Sequence, residues 1–178
     1  MDDQTIVAAR RGNRDAQARL LRELQDPWYR LSLSLLRDPD RAQDATQESA
    51  VRFLRQLPGF RGESQLRTWA LGIAINVVRE IRRSQRPMVE LEPESFLAPT
   101  DMWDPSPDAS AELTERRDCL HASLADLPHR QREAVVLRFF EEMSVEQTAV
   151  AMQCAEGTVK ATVHQALRTM RMKLKALV

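Results

Sequence analysis

Five of the chain's nine prolines (Pro87, Pro93, Pro99, Pro105 and Pro107) fall between Pro87 and Ser110, among several acids and with no repeating apolar pattern. Proline fixes φ, lacks an N–H and pushes the preceding residue out of helical geometry, so a stretch this dense in proline ends any helix that enters it. The segment 87–110 therefore reads as an acidic, flexible linker. It divides the 178 residues into an N-terminal block, 1–86, and a C-terminal block, 111–178, each the size of a small domain. As a coil such a linker spans roughly 25 to 30 Å, and fully extended about 75 Å. The longer figure is close to two turns of B-DNA, at roughly 34 to 36 Å per turn. Phe96 and Trp103 within it read as small docking contacts.

Both flanking blocks carry helical periodicity. Ile6, Ala9, Ala16, Leu20 and Leu24 predict a helix over Thr5–Leu24, and Trp28, Leu31, Leu35 and Leu36 a second that stops at Asp38-Pro39. A third fits Ala42–Leu57, broken by Pro58-Gly59, and a fourth runs from near Thr68 to about Ser84 with Trp69, Ile73, Val77 and Ile81 as its core stripe. Beyond the linker, one helix is expected over Ala111–Leu124 and another from Leu127-Pro128 to about Phe140. Ser144 with Gln147 makes a capping-box pattern for a short helix over Val145–Met152, and after Gln153-Cys154-Ala155 a long last helix opens near Glu156. The expected fold class is all-α, with two small helical domains.

The net charge of zero hides an uneven distribution. Residues 1–86 and 119–178 are each mildly basic, whereas 87–118 are strongly acidic, and 23 of the 26 basic residues are arginine, the side chain suited to forked contacts with phosphate and guanine. Trp69–Val78, the longest near-apolar stretch, is about half a bilayer span, and residues 1–25 are charged throughout, so neither membrane insertion nor a secretory signal is expected. With only Cys119 and Cys154, no disulfide scaffold is expected either, which favours the cytoplasm.

The two helices around Gln153–Ala155 have the form of a helix-turn-helix. Ala149 is small where they cross, Met152 and Cys154 can plug the turn, and Val159 and Val163 face inward. That leaves Gly157, Thr158, Lys160, Ala161, His164, Gln165 and Arg168 pointing outward, where such a helix meets base edges and phosphates. A plain helical hairpin with a wet polar face gives the same pattern.

The stretch DATQESAVRFLRQLPGFRGESQLRTWALGIAINVVREIRR, Asp44 to Arg83, resembles the second conserved region of extracytoplasmic-function (ECF) sigma factors. The matching positions are Asp44, Gln47 and Glu48; Phe60, Arg61 and Gly62; Trp69, Ile73, Ala74 and Asn76; and Arg83. The C-terminal run from Leu127 is similar to that family's fourth region, through Leu127-Pro128, Arg132, Leu137 and Gly157-Thr158-Val159-Lys160. Ala70, Thr148, Thr162, Gln165 and Leu167 depart from the family pattern, the last three where arginine is frequent.

The resemblance implies a factor that binds core RNA polymerase and promoter DNA, is controlled by an anti-sigma factor, and is not an enzyme. Asp44, Gln47 and Glu48 would face the clamp helices of the polymerase's largest subunit, and the C-terminal domain would meet its flap. Phe60, Arg61, Gly62, Glu63, Ser64 and Gln65 would form the loop that holds a flipped minus-ten base. Asn76 would read an adjacent base, while Arg79 and Arg83, with Arg82 and Arg86, would bind backbone phosphates. The seven outward residues of the last helix would read the minus-thirty-five element, with Arg171, Lys173 and Lys175 as backbone contacts or solvated surface. A stand-alone helix-turn-helix regulator is the alternative, and a protein-binding helical adaptor a weaker one. No cofactor is expected. Cys119 and His121 lack a second ligand pair at metal spacing, and no catalytic constellation is recognisable.

Overall fold

The computed structural model describes residues 2–84, 124 and 126–176. Arg86, the expected linker at 87–110 with Phe96 and Trp103, and Cys119 and His121 lie outside the described residues, as does the helix expected over Ala111–Leu124 except for Leu124. The side chains of Lys173 and Lys175 do too.

The first helix, α1 (Asp3–Arg10), is capped by Asp2, whose carboxylate accepts the Thr5 N–H at 2.8 Å. In place of one helix over Thr5–Leu24, the chain bends at Gly12, which adopts φ +90°. The amide oxygen of Asn13 then accepts the Ala16 N–H at 2.9 Å, opening α2 (Arg14–Leu36). The side chain of Gln17 ties the elbow by donating to the Ala9 carbonyl. A left-handed Gly followed by an Asn cap is a strong local stop-and-start signal, and it overrides the apolar spacing that continues through it.

Helix α2 also runs unbroken through Pro27, where the sequence pattern predicts two separate segments. An interior proline costs a helix about 3 kcal/mol. On either side of it Leu20, Leu24, Trp28, Leu31 and Leu35 are all at most 1% exposed. Burying each is favourable by roughly 1.5 to 3 kcal/mol, so packing decides the outcome. The helix ends at Arg37, φ +58°, and Asp38 immediately caps α3 (Pro39–Gln56). Pro39 thus opens this helix at its first position, three residues before the expected start at Ala42. A tight turn at Leu57–Gly59 and a loop lead into α4 (Leu66–Ser84).

Aromatic packing joins these helices. Trp28 meets Phe53 edge-on with ring centroids 5.5 Å apart, Phe53 contacts Trp69 at 5.5 Å, and Trp69 contacts Phe60 at 5.0 Å. Buried Trp28 finds its polar partner by donating its indole N–H to the Ala70 carbonyl at 2.9 Å.

The C-terminal half begins with α5 (His129–Val135), which widens into π-type turns over Val136–Phe140. Helices α6 (Val145–Met152) and α7 (Glu156–Ala176) follow. Ser144 and Gln147 form both bonds of the capping box that their spacing predicts, and Gln153 makes the turn at φ +55°. Leu124, Leu127, Val135, Ala166 and Met170 form a small cluster internal to this half.

The larger core is shared. Ala134, Val136, Leu137, Met143, Ala151 and Met152 join the cluster built by α1 to α4. Ala149 and Val159 are buried as expected, but Met152, Cys154 and Val163 pack into this shared cluster, beyond merely plugging the turn. Helix α4 lies at the centre, packed against α2, α3 and α6. Its expected stripe is accordingly only part of what it buries, because Ala70, Leu71, Gly72, Ala74, Ile75 and Val78 are buried as well. A helix that touches three others has no wet face along its middle.

Candidate nucleic-acid interface

Helix α7 presents two faces. Val159 and Ala166 are fully buried and Met170 nearly so, whereas Gly157, Thr158, Lys160, Ala161, His164, Gln165 and Arg168 are all exposed. Lys160 lies 3.7 Å from Glu156, a solvent-exposed pair that contributes little and leaves the ammonium accessible. Ala166 and Met170 pack against α5 while the outward residues stay on one accessible side, the arrangement a helix needs to enter a groove.

The loop before α4 has a different character. Gly62 takes φ +77°, a turn that only glycine adopts without strain. Beside it Arg61 and Glu63 are exposed and lie 3.9 Å apart, and Ser64 is half-buried. Phe60 departs from the expected loop surface: it is 8% exposed and stacked against Trp69. Its apolar ring is worth more in the core than in water, so it anchors the loop and does not line it.

Along α4 the polar groups are already engaged. The Gln65 amide oxygen accepts from the side chain of Gln147 at 3.0 Å. Arg67 donates to the Glu141 carboxylate at 2.5 Å and to the Glu141 carbonyl at 3.1 Å. Arg79 forks onto Glu133 through bonds of 2.9 and 2.7 Å and donates to the Asn76 oxygen at 3.4 Å. Arg79 and Arg83 are therefore not one continuous basic face: the first is turned onto a carboxylate, and only the second is exposed. Burial raises the Glu141 carboxyl above its ordinary range, opposed by the Arg67 charge. The sequence gives no sign of Glu133 and Glu141 as partners, since 54 and 74 residues separate them from their arginines.

Arg132, noted above only as a family match, is a second bridge. It is 5% exposed and donates to the carbonyls of Leu124, Leu127 and, across the two halves, Leu35. Arg82 donates to the same Leu35 carbonyl, so two cations meet the C-terminal end of α2, where helix carbonyls carry partial negative charge. Burial, with the nearby charges of Arg82 and Arg37, pulls the Arg132 guanidinium down to about 10.

On α3, Asp44 and Gln47 are exposed, and Glu48 is half-buried and accepts from Arg52 at 2.7 Å. Arg52 also forks onto Glu80 of α4, at 2.8 and 2.7 Å. These hydrogen bonds push the Arg52 guanidinium up and hold the Glu80 carboxyl below its ordinary value. Among the described residues, no group of three His, Cys, Asp or Glu is placed to hold a metal, and no helix is long and apolar enough to cross a membrane.

Residues 20–87 match the family Sigma-70 region 2, and residues 117–170 match Sigma-70, region 4. The RNA polymerase sigma-H factor of Pseudomonas aeruginosa is 31% identical, with 99% of this chain and 95% of that protein covered. The ECF RNA polymerase sigma factor EcfG of Rhodopseudomonas palustris is 36% identical over 82% of this chain and 76% of its own length. Among solved structures, CnrH in complex with the cytosolic domain of CnrY superposes with a TM-score of 0.71 at 20% identity, covering 97% and 96% of the two chains. Sigma factor RpoE in complex with the anti-sigma factor NepR from Bartonella quintana gives 0.72 at 24%, covering 89% and 96%. These two likenesses show a shared all-helical fold. A helical protein with both sigma-70 regions in this order is a transcription initiation factor. The chain belongs to the ECF sigma factors, the class of RNA polymerase specificity subunits to which its relatives belong.

Proposed function

We propose that this sigma factor acts through two surfaces, with residues 1–86 as the region 2 domain, 87–110 as the linker and 111–178 as the region 4 domain. The observation that carries the proposal is the two-faced α7, whose seven outward residues are exposed while its opposite side is buried. Lys160, His164, Gln165 and Arg168 would read the minus-thirty-five element through base edges and phosphates, with Gly157, Thr158 and Ala161 allowing close approach.

Region 2 would do two jobs. Asp44 and Gln47, exposed on α3, with Glu48 beside them, would meet basic groups on the polymerase clamp, and region 4 its flap. Arg61, Gly62, Glu63, Ser64 and Gln65 would hold an unstacked minus-ten base, with Phe60 anchoring the loop from the core. Asn76, Arg79 and Arg83 would take the adjoining non-template strand. Unstacking costs a few kcal/mol, which contacts in the loop must offset. Two solved neighbours are complexes with partner proteins, one of them named an anti-sigma factor, which supports the same kind of control here. The setting would be the cytoplasm.

The test is transcription by purified core polymerase on a genomic promoter library, with and without this chain. A defined promoter set should fire only in its presence, and Asn76→Ala should abolish open complexes while leaving polymerase association intact. Unchanged transcription with Asn76→Ala would remove the melting assignment.

A further inference from the structure

Arg67 and Arg79 lie twelve positions apart on α4, about 18 Å at 1.5 Å per residue. Two carboxylates of the C-terminal half meet them. Glu141 and Glu133 have side chains only 2% and 4% exposed, and each is held by its arginine at 2.5 to 2.9 Å. Between these latches the backbone of α6 comes so near that a Cβ on Gly72 would stand 3.4 Å from the Cα and carbonyl oxygen of Ala151. Gln147 of α6 covers Gln65 as well. Meanwhile the reading face of α7 and the Asp44 and Gln47 side of α3 remain exposed.

A guanidinium fork grips carboxylate and phosphate with the same geometry. We infer that this arrangement is a self-masked form of the protein, in which Glu133 and Glu141 occupy on α4 the places of nucleic-acid phosphates, so that closing and strand binding compete for the same arginines. The inference rests on the reading of the loop and α4 as the strand-binding surface. It makes the masking selective, because duplex reading by α7 and docking through α3 do not require opening. The affinity of α4 for a single strand is then reduced by the fraction of molecules that are open.

The experiment uses the full chain with a labelled 25-nucleotide mixed-sequence single-stranded DNA, followed by fluorescence anisotropy, and small-angle scattering to measure compactness. Glu133→Gln with Glu141→Gln removes the mimicking charges at constant shape. Gly72→Leu, as an independent variant, wedges α4 from α6. Both should expand the protein and tighten DNA binding about tenfold or more, as expected when the open fraction rises from a tenth or less. Saturating DNA should expand the unmodified chain. Expansion without tighter binding, or variants that stay compact with unchanged affinity, would overturn the masking. Arg79→Ala placed in the Gly72→Leu background separates the two ideas. If it weakens DNA binding while opening does not strengthen it, masking alone fails; if it has no effect, the strand-binding reading fails first.

Discussion

Arg79 on α4 holds Glu133 on α5 with two parallel hydrogen bonds, 2.9 Å from Nε and 2.7 Å from Nη2, and Arg130 adds a second cation 3.6 Å from the same carboxylate. Because Glu133 is 4% exposed at its side chain, its charge has little water to fall back on. Removing one partner of so buried a pair typically costs on the order of 3 to 5 kcal/mol, mostly through the charge left behind. Arg79→Met should therefore destabilise the chain far more than a surface substitution. The double variant with Glu133→Met should recover at least about 1 kcal/mol of that loss in a denaturant-unfolding double-mutant cycle. Additive losses would show that the pair contributes no coupling.

Gly72 separates a tolerated from a disruptive substitution. The 3.4 Å from its would-be Cβ to the backbone of Ala151 is ordinary contact for a methyl group and too little for anything larger. Gly72→Ala should raise stability by up to about 1 kcal/mol through helix propensity and a narrower unfolded ensemble. A rise in the denaturation midpoint for Ala, against a fall for Leu, is the expected result. Gly12 and Gly62, at φ +90° and +77°, should lose stability on the same change to Ala.

Glu141 gives a pH dependence with a definite sign. Burial raises its folded-state carboxyl above the ordinary 4.5, with Arg67 and Arg30 opposing and Glu142 adding to the rise. A carboxyl whose folded value lies above its unfolded one contributes stability in full below about 4.5, and that contribution is lost as pH climbs through the raised value. The stability difference between the unmodified chain and Glu141→Gln should therefore shrink as pH rises from 4.5 upward through that window, as read from urea unfolding. A widening difference would reverse the assignment.

Much of this architecture is legible from local chemistry. The Ser144–Gln147 box forms as its spacing predicts, and the α7 residues expected to face outward are all exposed. The misreadings share one cause, which is that apolar spacing carries no record of what else packs nearby. Gly12 breaks a helix whose apolar rhythm continues, and Pro27 fails to break one whose flanks are wholly buried. Helix α4, WALGIAINVV through its middle, is apolar on nearly every side, which signals a central helix. Reading a single stripe there missed the face that takes α6. The arginine–glutamate latches have no sequence signature, since their spacing is set by tertiary packing.

Replacing Lys160 or Arg168 by Ala should weaken binding to duplex promoter DNA and leave polymerase affinity unchanged. Each lost phosphate contact lowers the steepness of the salt dependence by about one. An unaltered salt slope in both variants would move those side chains out of the interface.

The most direct test is association of the purified chain, free of any inhibitory partner, with core RNA polymerase in a fluorescence titration. Saturable one-to-one binding is expected, weakened by Asp44→Arg with Gln47→Ala and unaffected by Lys160→Ala. No association with core polymerase, from a chain that is folded and monomeric, would contradict its role as a promoter specificity subunit.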